Sequence, residues 1–158
     1  MRRNRISKEM GYLKIAEATL ERSTCIRRQY GAIIVNHDEV VATGYNGSPR
    51  GETNCNEIGE CEREILNVPK GERYELCKAV HAEQNAIISA SRQQMMGGTI
   101  YIVGREVSTG EYANPVPCLI CMRLIKNAGI VRVVGMTKDG IIEIDLKTKK
   151  TKSSKDTK

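Results

Sequence analysis

The apolar positions of the chain follow two different spacings. Between residues 6 and 22, apolar side chains recur at steps of three and four, with charged residues between them. This spacing predicts a helix with one buried face. Short, mostly apolar runs at 31–35 and 40–44 predict two buried strands, and the turn-forming residues 36–38 between them predict a hairpin.

The second half of the chain alternates predicted helices with predicted strands. Apolar strands crossed by helices indicate an α/β domain with helices packed on both faces of the sheet. Pro117 suits the first position of a helix, and Gly129 suits the position after its end. The elements that we predict are a helix over 81–94, a strand over 99–103, a helix from Pro117 to Ala128, and strands over 130–134 and 141–146.

A long segment, residues 45–73, lacks either spacing and is rich in glycine, proline, asparagine and charge. An irregular segment of this length inside a compact domain needs a function or a tie such as a metal ion. Cys55 and Cys61 lie within it, Cys77 follows it, and Cys25 follows the first helix. Four cysteines can close a structural zinc site. The alternative is that Cys25 and Cys77 are small buried apolar residues and that the other two are incidental.

Charge is concentrated at one end of the chain. The net charge is +6, but residues 147–158 contain six lysines and one aspartate, which leaves 19 basic against 18 acidic side chains in residues 1–146. We therefore expect one globular domain over 1–146 and a basic, disordered tail over 147–158. Binding of the tail to nucleic acid is the less favoured alternative, and the chain has no tryptophan or phenylalanine for a base-stacking platform.

The chain shows no apolar run long enough to span a bilayer, and its basic first residues are not followed by the apolar core of a signal peptide. We therefore expect no membrane association and a cytoplasmic location. Six cysteines in such a chain favour metal binding or catalysis over disulfides.

Two short motifs carry the residues of a zinc-dependent hydrolase. His81-Ala82-Glu83 opens one predicted helix, and the segment PCLIC at 117–121 opens the next. A catalytic zinc keeps three protein ligands and one position for water. His81, Cys118 and Cys121 would supply the three ligands, and Glu83 would move protons for the water that such an ion activates.

The predicted positions of the cysteines favour metal binding as well. Cys118 and Cys121 are three residues apart in the first turn of a helix, so they share a face. The free N–H groups and the dipole at a helix N-terminus favour thiolate over thiol. We expect the N-termini of two neighbouring helices to bring the three ligands together.

The combined motifs resemble the H-x-E…P-C-x-x-C pattern of zinc-dependent nucleobase deaminases. Similarity to the deoxycytidylate (dCMP) deaminases extends over roughly residues 5–135. It is carried by residues 27–35 (RRQYGAIIV), 43–51 (TGYNGSPRG), Asn54-Cys55 and 81–87 (HAEQNAI). The resemblance implies a cytidine deaminase-like three-layer α/β/α sandwich with a central mixed five-stranded sheet.

The resemblance also implies a reaction, the hydrolysis of dCMP to dUMP and ammonia. The GYNGSP stretch is what indicates dCMP. In such enzymes it lies beside the nucleotide, with the asparagine near the sugar and base. Some dCMP deaminases carry a second, non-catalytic zinc in this region, and many are homo-oligomers controlled by dCTP and dTTP. The residues expected at the substrate are Asn46, Ala82 and, for the sugar or phosphate, Ser48, Arg27, Arg28 and Arg50.

One segment departs from the family pattern. Residues 105–116 form a longer connection into the second motif than relatives usually have, and we expect it to border the site. This puts the substrate in question more than the reaction. The alternatives are a deaminase of another amino-heterocycle (cytidine, guanine or tRNA adenosine) and, in a different class, a non-catalytic zinc-stabilised module of DNA uptake.

Overall fold

A computed structural model describes residues 1–147 of the chain, so the predicted tail over 147–158 lies almost wholly outside the described residues. No helix within the described part has the length and apolar character that crossing a bilayer demands. Besides a short 3-10 turn, Tyr74–Leu76, the elements in chain order are α1 (Lys8–Leu20), β1 (Arg28–Asn36), β2 (Glu39–Tyr45), α2 (Cys55–Ile58), α3 (Glu62–Ile65), α4 (Ala82–Ile88), α5 (Arg92–Met95), β3 (Thr99–Glu106), α6 (Leu119–Asn127), β4 (Arg132–Thr137) and β5 (Gly140–Ile144).

The strands form one sheet in the order β2-β1-β3-β4-β5. β1 pairs antiparallel with both β2 and β3, and β4 pairs antiparallel with β5. Among the strands of residues 1–147, only β3 and β4 pair in parallel, and their connection runs through α6. A parallel pair needs such a crossover, because the chain must return to the same end of the sheet at which the first strand began. The predicted mixed, five-stranded sheet is confirmed.

Helices cover both faces of this sheet, as predicted. Successive side chains of a strand point to opposite faces. Ile33 of β1 and Val103 of β3 pack on the α1 side, with Leu13 of that helix. Ile34 and Ile102, their neighbours along the chain, pack instead on the side of α4, α5 and α6. The two apolar cores explain why the central strands read as continuous apolar runs rather than as alternating ones.

Two glycines of the hairpin allow the helices to approach the sheet closely. A Cβ at Gly31 would lie 2.1 Å from the carbonyl oxygen of Ala16 in α1. A Cβ at Gly44 would lie 2.4 Å from the carbonyl oxygen of Ala82 at the start of α4. The sheet thereby sets the position of α4, which follows directly after His81. The hairpin itself turns through His37 and Asp38, both with positive φ (49° and 61°), as a tight two-residue connection requires.

The boundaries of two predicted helices were wrong. The helix predicted over 81–94 is two helices, α4 and α5, because Ser91 caps a new helix and its Oγ accepts a hydrogen bond from the backbone N–H of Gln94. The helix predicted to begin at Pro117 begins at Leu119, because Cys118 is its N-cap. At both places a side chain accepts a hydrogen bond from a backbone N–H and caps a helix. This cap, rather than the apolar periodicity, sets where the helix begins.

The long connection after β3 is an ordered turn rather than an open loop. The backbone N–H of Ala113 donates to the carbonyl of Gly104 (2.9 Å), and that of Glu106 donates to the carbonyl of Glu111 (2.8 Å). These bonds fold residues 105–113 into a hairpin-like return. The chain then reaches the start of α6 through Asn114 and Val116, which line the cavities described below.

Candidate metal centre and substrate cavity

The N-termini of α4 and α6 meet at the candidate metal centre. His81 is the N-cap residue of α4, and Cys118 is the N-cap residue of α6, with Cys121 one turn further along. The backbone N–H of His81 donates to the side chain of Gln84 (2.8 Å), which fixes the entry of the chain into α4. The structure therefore confirms that two helix starts bring the three predicted ligands together.

The three ligand atoms lie close enough together to share one zinc ion. His81 Nδ1 lies 3.2 Å from Cys121 Sγ and 3.6 Å from Cys118 Sγ. Ligands at zinc–nitrogen and zinc–sulfur distances of about 2.0–2.3 Å in a tetrahedron are about 3.3–3.8 Å apart. Among residues 1–147, no other set of three His, Cys, Asp or Glu side chains has its ligand atoms within 4.8 Å of one another. One nitrogen and two sulfurs fit Zn²⁺, and these residues would hold it.

The environment of Cys118 favours its thiolate. Hydrogen bonds from the Cys121 thiol, from His81 and from the backbone N–H of Cys121 lower the pKa of Cys118 to about 4. The last of these spans 3.4 Å. The same contact raises the pKa of Cys121, which keeps the proton that it donates, and burial raises it further. The surroundings of Cys118 thus favour the thiolate that zinc binding requires, and a bound zinc ion would hold Cys121 as a thiolate as well.

Glu83 is the buried acid of the site. Its side chain is 7% exposed, and it lines the same cavity as His81 and Cys118. Burial raises the pKa of Glu83, while the neighbouring His81 opposes that rise. A carboxyl group with a raised pKa can both accept and donate a proton near neutral pH, which a proton shuttle must do.

The cavity in front of these residues, here the metal-site cavity, has a volume of about 170 Å³. Of the predicted substrate-binding residues, Asn46, Ala82, Arg27 and Arg28 line it. The side chain of Asn46 is buried and already hydrogen-bonded: Oδ1 accepts from the backbone N–H of Tyr30 (2.8 Å), and Nδ2 donates to the carbonyl of Arg28 (2.9 Å). Asn46 therefore anchors the strand that carries the two arginines, and one amide N–H remains for a ligand.

Two predicted substrate residues lie elsewhere. Ser48 and Arg50 line a separate groove along β2, together with Asn85 and Ser89. Ser48 Oγ is buried and has no hydrogen-bond partner within residues 1–147, whereas Arg50 is exposed. The structure does not bring these two side chains to the metal-site cavity, and their role in substrate binding stays a prediction.

Sequence reasoning missed three residues of the cavity wall, Tyr30, Arg63 and Tyr74. The hydroxyl of Tyr30 donates to the carbonyl of Asn114 (2.8 Å), and burial raises the pKa of Tyr30 to about 12. The ring of Tyr74 meets that of His81 edge-on, at 5.7 Å between centroids. Tyr30 was present in a stretch typical of the family. Arg63 and Tyr74 lie in the irregular segment and just after it, where no periodic pattern marks a residue as buried.

A second cavity adjoins the first and has a cationic lining. This cationic cavity, of about 140 Å³, shares Tyr30, Tyr74 and Cys118 with the metal-site cavity. Four basic side chains and one acidic side chain line it: Arg27, Arg28, Arg63, Lys70 and Glu106. The excess of positive charge beside the candidate metal centre suits an anionic group on a ligand.

The four remaining cysteines lie in one region of the molecule. Cys77 is partly buried; burial raises its pKa, and charges on Cys25, Cys55 and Cys61 raise it further. All six cysteines of the chain are free. These four do not meet the ligand spacing that the three residues of the candidate metal centre meet within the described chain. A second zinc at this cluster stays a prediction.

Comparisons with known proteins agree with this site. Residues 6–137 match the family model of the cytidine and deoxycytidylate deaminase zinc-binding region. The deoxycytidylate deaminase of Mycobacterium phage D29 is 38% identical over 128 residues, which cover 78% of this chain and 89% of that protein. The deoxycytidylate deaminase of Schizosaccharomyces pombe is 37% identical over 123 residues, again 78% of this chain but 35% of the yeast protein. The chain thus spans about a third of the length of this yeast relative.

A solved structure gives the same result at the level of the fold. The dCMP deaminase of cyanophage S-TIM5, determined in complex with dCMP and dUMP, superposes with a TM-score of 0.58 and 25% sequence identity. The superposition covers 85% of each chain. The predicted three-layer fold is confirmed by this similarity together with the observed sheet.

Proposed function

The chain belongs to the cytidine and deoxycytidylate deaminase family, and on that premise we propose that it hydrolyses dCMP to dUMP and ammonia. The observation that carries the proposal is the placement of Glu83, which is buried in the same cavity as His81 and Cys118. A zinc site that served only to stabilise the fold would not need a buried acid beside its ligands. The non-catalytic alternative therefore lacks an explanation for Glu83.

The residues of the chain divide the work of the reaction. His81, Cys118 and Cys121 would hold the zinc ion, which would lower the pKa of a bound water molecule towards ~7. Glu83 takes the two protons of that water in turn. One goes to the ring nitrogen next to the amino-bearing carbon, and the other goes to the amino group as it leaves as ammonia. The oxygen remains on the ring, so dCMP and water become dUMP and ammonia with all atoms accounted for.

The nucleotide substrate is supported by the charge around the cavity. Arg28 is the first residue of β1, Arg27 directly precedes it, and both line the two cavities. A phosphate group is best bound by charge-assisted hydrogen bonds from arginine. The names of the relatives, deoxycytidylate deaminases, agree with a substrate of this charge.

The test is direct. Zinc-loaded protein is mixed with dCMP, dCTP, deoxycytidine or cytidine, and the loss of the cytosine absorbance is followed with release of ammonia. We expect the highest kcat/KM with dCMP. Faster turnover of cytidine or deoxycytidine would assign the chain to another branch of the family, and no turnover of any of the four would favour the non-catalytic alternative.

We further propose a second, structural zinc at Cys25, Cys55, Cys61 and Cys77. It is supported by the proximity of the other three cysteines to Cys77 and by the length of the segment that they would tie. Metal analysis of the purified protein should find two zinc ions per chain. Cys61→Ser should lower this number to one, the zinc ion held by His81, Cys118 and Cys121. A single zinc ion in the fully active wild-type protein would exclude the second site.

Assembly, control and location are proposed from the family. We propose a homo-oligomer that responds to dCTP and dTTP, and sedimentation with and without these nucleotides tests both points. A cytoplasmic location agrees with six free cysteines. The domain over 1–146 would carry the reaction, and truncation after Leu146 should leave turnover unchanged.

A further inference from the structure

Arg63 is a buried arginine in the wall of both cavities. Its side chain, in the short helix α3, is 9% exposed. Nη2 donates to the carbonyl oxygens of Pro69 (3.1 Å) and Glu72 (2.6 Å) in the same segment of chain. The guanidinium carbon lies 5.1 Å above the centre of the Tyr74 ring. These contacts hold the guanidinium in one place, but all of them are with uncharged groups.

The positive charge of Arg63 has no acidic partner in the described part of the chain. None of the ion pairs formed by residues 1–147 involves it. Its Nε is buried and has no hydrogen-bond partner there. Burying a cation is costly unless a counter-charge and hydrogen-bond acceptors compensate it. Within the described residues the buried guanidinium is thus compensated by neutral groups alone, and a bound anion would find it without an ion-pair partner.

The neighbouring arginines differ in this respect. Arg27 Nε lies 3.0 Å from Glu64 Oε1, and Arg28 Nε lies 2.6 Å from Glu106 Oε1. Each of these two guanidinium groups already forms an ion pair with a carboxylate. A second anion would have to displace or share that carboxylate in order to bind. Of the three arginines that line both cavities, Arg63 is the one that forms no ion pair within the described residues.

The position of Arg63 places this charge at the candidate reaction centre. The ring of Tyr74 lies under the guanidinium on one side and meets the ring of the predicted zinc ligand His81 edge-on. Arg63 also lines the cationic cavity beside Lys70. A ligand whose base occupies the metal-site cavity can therefore extend an anionic group past Tyr74 towards Arg63.

We propose that Arg63 binds the phosphate of the substrate and is the residue that makes this site select a nucleotide over a nucleoside. The inference rests on the proposed function and adds the residue that determines specificity. A phosphate supplies both the negative charge and the acceptor oxygens that the guanidinium lacks. A nucleoside supplies neither, so its binding leaves the buried guanidinium without a counter-charge.

The test compares substitutions of Arg63 with a matched change in the same part of the chain. Arg63→Gln keeps the length and some hydrogen bonding but removes the charge, and Arg63→Lys keeps the charge but loses the planar fork. Lys78→Gln is the control, because Lys78 is exposed and lines neither cavity. The readouts are kcat and KM for dCMP and deoxycytidine, and the Kd of dUMP and deoxyuridine by calorimetry.

We expect Arg63→Gln to lower kcat/KM for dCMP roughly 10- to 100-fold, mainly through KM, which is the loss typical of a charge-assisted hydrogen bond. The value for deoxycytidine should change less than about threefold, so the preference for dCMP falls by the same factor. Binding of dUMP should weaken in parallel while that of deoxyuridine does not. Arg63→Lys should lie between the wild type and Arg63→Gln, and Lys78→Gln should match the wild type.

Three results would overturn the inference. They are an unchanged KM for dCMP in Arg63→Gln, an equal loss for dCMP and deoxycytidine, and dUMP binding by Arg63→Lys equal to that of the wild type. The last comparison decides the matter if Arg63→Gln does not fold. A wild-type protein inactive on every cytosine substrate would instead refute the proposed function, so the two failures are distinguishable.

Discussion

At the scale of single residues, the site depends on what surrounds each reactive group. Glu83 is one of 19 acidic residues in the chain, and burial in the metal-site cavity is what raises its pKa. Cys118 and Cys121 have the same side chain, yet the pKa of one is lowered and that of the other is raised, because one accepts the hydrogen bond that the other donates.

Glu83→Gln should remove the proton shuttle and leave the metal in place. We expect kcat to fall by at least a factor of about 10²–10⁴, the usual contribution of general acid–base catalysis. Zinc content should be unchanged, because Glu83 does not belong to the set of three ligands. Steady-state kinetics with dCMP and metal analysis check the two parts. Glu52→Gln, on an exposed turn, is the control, and near-normal turnover in Glu83→Gln would refute the assigned role.

At the scale of elements, the two helix layers are fixed by their contact with the hairpin of β1 and β2. α1 crosses β1 at Gly31, and α4 crosses β2 at Gly44, in each case without room for a Cβ. The strand periodicity predicted the hairpin, but the local sequence gave no reason to expect a helix backbone against either glycine. How closely a strand and a helix approach each other depends on both elements, so the local sequence of one of them does not predict it.

Gly31→Ala and Gly11→Ala should have opposite effects on stability. At Gly31 the added Cβ would collide with the backbone of Ala16, which cannot move aside easily, so we expect a loss of roughly 1–3 kcal/mol. At Gly11, inside α1, it would meet only the tip of Ile6 at 3.9 Å, and alanine should add about 0.5–1 kcal/mol through its higher helix propensity. Urea unfolding of both variants measures the difference. Equal stabilities would show that α1 does not pack on β1 as described.

Gly44→Ala should affect the site as well as the fold. The added Cβ would push against the first turn of α4 at Ala82 and Ala86, and His81 lies directly before that turn. We expect weaker zinc binding in addition to lower stability, because a displaced α4 moves one of the three ligands away from the other two. A zinc titration of folded Gly44→Ala checks this, with Gly31→Ala, on the opposite face, as the control that should keep wild-type affinity.

At the scale of the whole molecule, a zinc ion at the candidate centre would join two helices that the chain order keeps apart. His81 and Cys121 are separated by 40 residues, including β3 and the turn that follows it. An ion that binds the folded chain and not the unfolded one stabilises it by mass action. The metal centre should therefore contribute to the stability of the domain and not only to its chemistry.

Removal of zinc should lower the thermal midpoint. At a free zinc concentration of 100 times Kd, binding contributes about 2.7 kcal/mol, which corresponds to roughly 5–11 °C for a domain of this size. A thermal scan with and without a strong chelator measures it. Cys118→Ser should lose the part of the shift that belongs to the catalytic site, and any shift that remains in this variant reports the proposed second zinc. A thermal midpoint of the wild type that is the same with and without the chelator would contradict both zinc sites.

The sequence by itself determined most of the elements and the two helix layers, and it predicted the three candidate ligands and the acid beside them. The order of the five strands was implied by the family resemblance rather than by the residue pattern. Strand and helix periodicities depend on neighbours along the chain, and the two motifs place ligands at helix starts, where the local backbone favours them. The start of α6 was a local error, since Pro117 was predicted as its first residue and the helix begins at Leu119, after the N-cap Cys118.

Only the tertiary structure decided which residues share the substrate cavity. Arg27 and Arg28 lie at the start of β1 and Arg63 lies in α3, and which of them forms an ion pair depends on where Glu64 and Glu106 lie in space. Ser48 and Arg50 follow Asn46 closely in the chain but line another groove. Distances along the chain do not report long-range charge pairing or burial, because these arise from contacts between segments that the fold brings together.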